Sequence, residues 1–164
     1  MKISDFEIHN RPKLDKILVD LCQLVVAGQC ADPHRWGVVA AAVLDPHNQI
    51  CKAVNYYDVR TGNRVHAERA ALDAYLEKYG EKPPRGSVII TTCSPCSVDS
   101  MDGRYGQSCT DLINESGVHK VYAGYHDPTQ PELDKKFNLE ITDNSQIQKL
   151  CERFARTFLN KEHP

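Results

Sequence analysis

No stretch of the chain approaches the roughly 20 apolar residues that a membrane-spanning helix requires, and the opening MKISDFEIHN lacks the apolar core of a secretion signal. The expected location is therefore the cytoplasm, with no membrane partner. Charge of one sign is also scarce. The formal net charge is -2, which leaves no global electrostatic footprint for nucleic acid and tilts the expectation toward a small-molecule substrate. Internal repeats and low-complexity tracts are absent, so a repeat array or a disordered tail has no support. What remains is the size of one ordinary domain, 164 residues, and a single domain is expected over 1–164, with its core at about 13–142 and a closing helix at about 144–160. Seven cysteines, an odd number without a secretion signal, read as reduced thiols or metal ligands rather than a disulfide framework.

From Lys13 to Gln29 apolar residues recur at spacings of three and four (Leu14, Ile17, Leu18, Leu21, Leu24, Val25), which predicts an amphipathic helix. VVAAAVL, residues 38–44, reads as a strand buried on both faces, and DPHNQ turns it into a second strand beginning at Ile50, an antiparallel hairpin. YYDVRTGNR reads as a polar loop. HAERAALDAYLEK, residues 66–78, is rich in helix formers, carries Ala71, Leu72, Tyr75 and Leu76 on a common face, and is stopped by Gly80 and Pro83-Pro84. SVIITT and VYAG are two further buried strands with a short helix at about 108–116 between them, a crossover that implies parallel pairing. FNLEIT adds an edge strand, and SQIQKLCERFARTFL, with Ile147, Leu150, Phe154 and Phe158 in register, is a closing helix. The expected fold is three-layer α/β/α, a mixed sheet of about five strands covered by helices.

Two short signals carry chemistry. His66-Ala67-Glu68 opens a helix, and Ser94-Pro95-Cys96 follows a buried strand. H-x-E followed by P-C-x-x-C is the signature of zinc-dependent base deaminases. The first half is intact here, but Asp99 stands where the second cysteine belongs, and the next cysteine downstream is Cys109. Cys93 forms a generic C-x-x-C pair with Cys96 and is the alternative ligand. Context favours Cys109, because it opens a helical stretch and helix N-termini stabilise thiolates. The segment between the two cysteines then reads as an inserted loop. Cys22, Cys30, Cys51 and Cys151 lie in or beside apolar segments and read as buried small hydrophobes.

HAERAAL, TTCSPCS and the C-x7-G-V-H-K-V-Y-A-G run resemble the cytidine deaminase superfamily across roughly residues 36–128. The long inter-cysteine loop ending GRYGQSC and the later HDPTQP resemble, more loosely, the deaminase domain of the riboflavin-pathway pyrimidine deaminases. Two departures stand out: the chain has no room for the reductase domain often fused there, and Asn55 stands where that family usually has histidine, like the ribose-contacting asparagine of nucleoside, nucleotide and tRNA deaminases. The resemblance implies Zn2+ held by His66, Cys96 and Cys109, with Glu68 as the catalytic acid and base. It also implies a role for the Ala67 backbone N–H in orienting water or substrate, and a homo-oligomer.

Arg104, on the inserted loop, is a candidate phosphate or ribose contact, since guanidinium pairs well with phosphate. His126, beside Asp127-Pro128, is a candidate pocket-lining residue. The expected substrate is a base, nucleoside, nucleotide or riboflavin-pathway aminopyrimidine. A tRNA or single-stranded nucleic-acid deaminase is one alternative, and a non-catalytic zinc-stabilised binding module is another.

Overall fold

The computed structural model describes residues 10–96, 108–129 and 138–162, with the side chains of residues 158–162 outside that description. The elements are α1 (Arg11–Ala31), β1 (Trp36–Leu44), β2 (Ile50–Asp58), β3 (Asn63–Val65), α2 (Ala67–Tyr79), β4 (Val88–Thr91), α3 (Cys109–Glu115), β5 (Lys120–Ala123), β6 (Asn138–Ile141) and α4 (Ser145–Glu162). Among the described residues the strands form one mixed sheet of six, in the order β3-β2-β1-β4-β5-β6. β1 runs antiparallel to both β2 and β4, whereas β4, β5 and β6 are mutually parallel.

Alternation along β1 explains the three layers. Ala40, Ala42 and Leu44 join Leu14, Leu18, Leu21 and Val25 of α1 and Ile147 and Cys151 of α4 in one core. Ala41 and Val43 point the other way and join Ala71, Leu72 and Tyr75 of α2 and Ile113 of α3. A strand with helices on both sides has no polar face, which is why VVAAAVL is an unbroken apolar run. The small side chains of Ala40, Ala41 and Ala42 leave room for the helices on both faces.

The sixth strand comes from the segment expected to be a loop. Tyr56, Tyr57 and Asp58 extend β2, and Asn63–Val65 returns as β3, pairing Tyr56 with Val65, Tyr57 with Arg64 and Asp58 with Asn63. The Asp58 carboxylate accepts the Arg60 backbone N–H at 3.0 Å and holds the intervening turn. Only Val65 of the three-residue β3 is apolar and buried, so no apolar period marks this edge hairpin.

Other boundaries differ by a residue or two, and three burial expectations change. Leu24 and Leu76 are exposed, and Cys30 is an exposed thiol rather than a buried one. In α1 it is Cys22 that completes the buried stripe.

One buried polar contact ties the β1–β2 turn to α2. The Tyr75 hydroxyl donates to Asp45 Oδ2 at 2.7 Å, while Asp45 Oδ1 accepts the backbone N–H groups of His47 and Gln49. Replacing Tyr75 with Phe leaves a buried carboxylate oxygen short of a partner, so thermal denaturation should show a loss of about 1–3 kcal/mol. No change in Tm would mean that Asp45 is satisfied elsewhere.

Candidate active site

The site lies where β4 and β5 end, at the carboxyl ends of neighbouring parallel strands, the edge at which open α/β sheets place their ligands. After β4 the chain is held by main-chain bonds. Thr92 N–H donates to Ala40 O at 2.9 Å, and Ser94 N–H donates to Tyr125 O at 2.9 Å. Ser94 Oγ accepts the Asp127 N–H at 2.8 Å, so the two strand exits are stitched together.

His66 is the N-cap of α2, with extended backbone angles (φ -68°, ψ 151°) and a side chain that makes no capping bond. Its imidazole turns instead toward α3. Cys109 begins α3, where Ser108 caps the helix by accepting the Asp111 N–H at 3.1 Å. The same helix end grips the Cys96 segment: Thr110 donates to Cys96 O from both its N–H (3.1 Å) and its hydroxyl (2.8 Å).

The three potential ligand atoms of His66, Cys96 and Cys109 all lie within 4.8 Å of one another, and no other such cluster occurs among the described residues. His66 Nδ1 stands 3.2 Å from Cys109 Sγ and 3.7 Å from Cys96 Sγ. Zinc with bonds of about 2.1 Å to nitrogen and about 2.3 Å to sulfur, arranged tetrahedrally, separates its ligands by roughly 3.6–3.8 Å, within about half an ångström of the spacings seen here. The donor set and its spacing therefore fit Zn2+. Cys93 lies outside the cluster, in the wall of the adjoining cavity.

Electrostatics separate the cysteines. Cys96 is drawn well below the usual thiol range, chiefly by the hydrogen bond from Cys109, with His66 and the Cys109 backbone N–H (3.3 Å from Cys96 Sγ) adding to it. Cys109 shifts upward in turn, because that shared proton stays on it and because it is buried. Burial also pushes the Cys93 thiol up, reinforced by Glu68 and Asp127.

Beside the cluster is a cavity of about 90 Å³ walled by Asn55, Ala67, Glu68, Cys93, Ser94 and Asp127, with Val39, His66, Cys96 and Ala155 completing it. Glu68 is 3% exposed and accepts from Thr91 Oγ1 at 3.3 Å. Burial raises its pKa, opposed by His66. Asn55 Oδ1 accepts the Val39 N–H at 3.0 Å, which fixes the amide plane and leaves Nδ2 without a protein partner among the described residues. Gly37 makes this possible, since a Cβ there would lie 2.1–2.3 Å from the Asn55 amide.

The structure thus brings Asn55, His66, Ala67, Glu68 and Cys96 to one cavity and places Cys109 against two of them. His126 is not in the cavity wall; its neighbour Asp127 is, anchored by a turn in which Oδ1 accepts from the Thr129 N–H and hydroxyl. Arg104 lies outside the described residues. Sequence reasoning gave no role of their own to Thr91, Ser94, Asp127 and Gly37. Asp-x-Thr after a strand signals such a turn, but the Thr91 and Gly37 contacts exist only in three dimensions.

The family model for the cytidine and deoxycytidylate deaminase zinc-binding region matches residues 13–125. Among solved structures, the chain is similar to a diaminohydroxyphosphoribosylaminopyrimidine deaminase/5-amino-6-(5-phosphoribosylamino)uracil reductase from Thermotoga maritima, at 28% identity over 95% of this chain and 44% of that one, with a TM-score of 0.67. It therefore spans less than half of the length of that relative. A dCMP deaminase from the cyanophage S-TIM5 (20% identity, 77% of this chain and 95% of that one, TM-score 0.50) and a tRNA:A34 deaminase (16%, 77% and 95%, TM-score 0.53) share the fold. No curated protein gives a significant match. The matched zinc-binding region and the His66, Cys96 and Cys109 cluster make Zn2+ the cofactor. The chain belongs to the cytidine and deoxycytidylate deaminase zinc-binding family.

Proposed function

We propose that the chain is a hydrolytic deaminase that removes the exocyclic amine of a pyrimidine-type base presented as a nucleoside, a nucleotide or a riboflavin-pathway aminopyrimidine. The observation that carries this reading is Glu68, a buried carboxylate in the wall of a cavity that also contains two members of the His66, Cys96 and Cys109 set. A metal that merely held the fold would need four protein ligands and no adjoining carboxylate.

His66, Cys96 and Cys109 are the proposed ligands, a neutral imidazole and two thiolates that leave a fourth position for water. Zinc bound there supplies Lewis acidity, lowering the pKa of water from about 15.7 toward about 7. Glu68 accepts a proton from the attacking water and passes it to the ring nitrogen beside the amine-bearing carbon. The same carboxyl then takes the proton of the carbon-bound hydroxyl and delivers it to the departing amine. The water oxygen stays on the base as a carbonyl and ammonia leaves.

Burial suits Glu68 to both halves of this work, because raising its pKa makes the carboxyl a better proton acceptor while leaving it able to give the proton back. The Thr91 hydroxyl, which donates to the Cys93 carbonyl at 2.8 Å, also lies 3.3 Å from the carboxyl, and the Asn55 Nδ2 is left as a donor for a sugar hydroxyl of the substrate.

Gly37→Ala probes the Asn55 contact. The added Cβ displaces the amide while leaving the metal residues untouched, so KM for a nucleoside substrate should rise about tenfold, with zinc content unchanged; an unaltered KM would remove Asn55 from substrate binding. The reading as a whole is tested by an ammonia-release screen of the zinc-loaded protein across cytosine, cytidine, deoxycytidine, their phosphates and aminopyrimidine ribotides. Release from at least one is expected. Silence across the panel would sink it.

A further inference from the structure

A second concavity, of about 320 Å³, opens beside the catalytic cavity, and Asn55 stands in the wall of both. Its other walls come from two separate places in the chain. His34, Arg35 and Trp36 belong to the turn between α1 and the start of β1, whereas Tyr56, Tyr57 and Arg64 belong to the β2–β3 hairpin that the sequence conceals. Tyr57 and Arg64 are cross-strand partners, so the hairpin register sets the position of the second arginine.

The two arginines differ from most basic residues that are paired. Arg11, Lys52, Arg60, Lys120 and Arg156 each have a carboxylate within 4.0 Å. Neither Arg35 nor Arg64 has one among the described residues. The acid of the turn, Asp32, is already engaged, its Oδ1 accepting the backbone N–H groups of His34 (3.0 Å) and Arg35 (3.2 Å).

The turn is also built to stay in place. The Arg35 guanidinium lies 4.7 Å from the centre of the Trp36 ring, which packs against Tyr56 at 6.0 Å. Gln29 of α1 donates to the Gly37 carbonyl at 3.1 Å and also to that of Trp36. In a chain of net charge -2, two guanidinium groups with no carboxylate partner among the described residues line one hollow together with the His34 imidazole. Guanidinium matches a phosphate with paired donors.

We propose that this hollow is a phosphate subsite continuous with the catalytic cavity, and that the substrate is a pyrimidine ribotide with its base at Glu68, its ribose at Asn55 and its phosphate between Arg35 and Arg64. The base end of this assignment rests on the deaminase reading above. The subsite itself does not. A single-stranded nucleic acid would instead lay bases on Trp36 and Tyr57 and follow a longer basic track; two arginines and the overall negative charge favour one phosphate.

The test compares matched pairs with the zinc-loaded protein: cytidine with CMP, deoxycytidine with dCMP, and diaminohydroxyphosphoribosylaminopyrimidine with its dephosphorylated form. At least one phosphorylated member should be preferred by about tenfold or more in kcat/KM, and Arg35→Gln with Arg64→Gln should collapse that ratio, since a charge-assisted pair is worth about that much. Arg35→Lys with Arg64→Lys, which keeps the charge and checks the fold, should recover part of it. An equal rate on both members of every active pair, or a preference that survives the double glutamine variant, overturns the subsite. Deamination of an oligonucleotide but of no mononucleotide overturns the ribotide. If nothing is deaminated, the deaminase reading has failed, and calorimetry with CMP still decides the subsite: binding weakened about tenfold in the glutamine variant supports it, and equal or absent binding refutes it.

Discussion

Glu68→Gln should release ammonia about 10²–10⁴ times more slowly than the wild type while keeping its zinc, the range that a single positioned acid–base group contributes. Glutamine preserves the shape of the side chain and a hydrogen-bond acceptor for Thr91, so the buried wall is not opened. What it loses is the ability to take the proton from water and return it to the ring and to the leaving amine. Zinc content is the control that gives the rate its meaning: Glu68 belongs to the cavity wall and not to the ligand cluster. Rate and zinc lost together would make it a ligand or a structural residue.

The second large effect concerns the thiols. Cys109→Ala and Cys96→Ala should each abolish tight zinc binding, whereas Cys93→Ala should retain roughly one zinc per chain. The physical distinction is geometric: Cys96 and Cys109 stand with His66 within 4.8 Å, and Cys93 is outside that group. The loss should also register as stability. Free zinc at a thousand times its Kd stabilises the folded state by about 4 kcal/mol, on the order of 10 °C in Tm for a chain of this length. A chelator should lower the Tm of the wild type and of Cys93→Ala by that much and leave Cys109→Ala unmoved. Zinc lost only from the Cys93 variant would transfer the third ligand to that residue.

Much of this was legible in the sequence, for physical reasons that differ by element. Runs such as VVAAAVL and SVIITT are buried on both faces and cannot hide, and the α1 and α2 stripes follow from helical period. His66 and Glu68 were legible because one helix start carries both. Cys109 was harder, standing thirteen positions after Cys96 (109 - 96 = 13), and what pairs them in space is the grip of Thr110 on the Cys96 carbonyl. The β3 hairpin was missed because Asn63 and Arg64 are polar and its strand is only three residues long. With it went the second concavity, whose residues come from positions 29 to 64 and share no motif. Exposure of Leu24, Leu76 and Cys30 was likewise out of reach, since a helical stripe shows which residues share a face but not where the sheet beneath them ends.

The deaminase assignment is tested most directly by running the zinc-loaded protein with its active substrate in water enriched in oxygen-18. Hydrolytic deamination requires one ammonia for each product molecule and a product carbonyl that carries the solvent oxygen, with both formed about 10²–10⁴ times more slowly by Glu68→Gln. Full zinc occupancy with no ammonia from any pyrimidine base, nucleoside or nucleotide, or ammonia without incorporation of labelled oxygen, would contradict it.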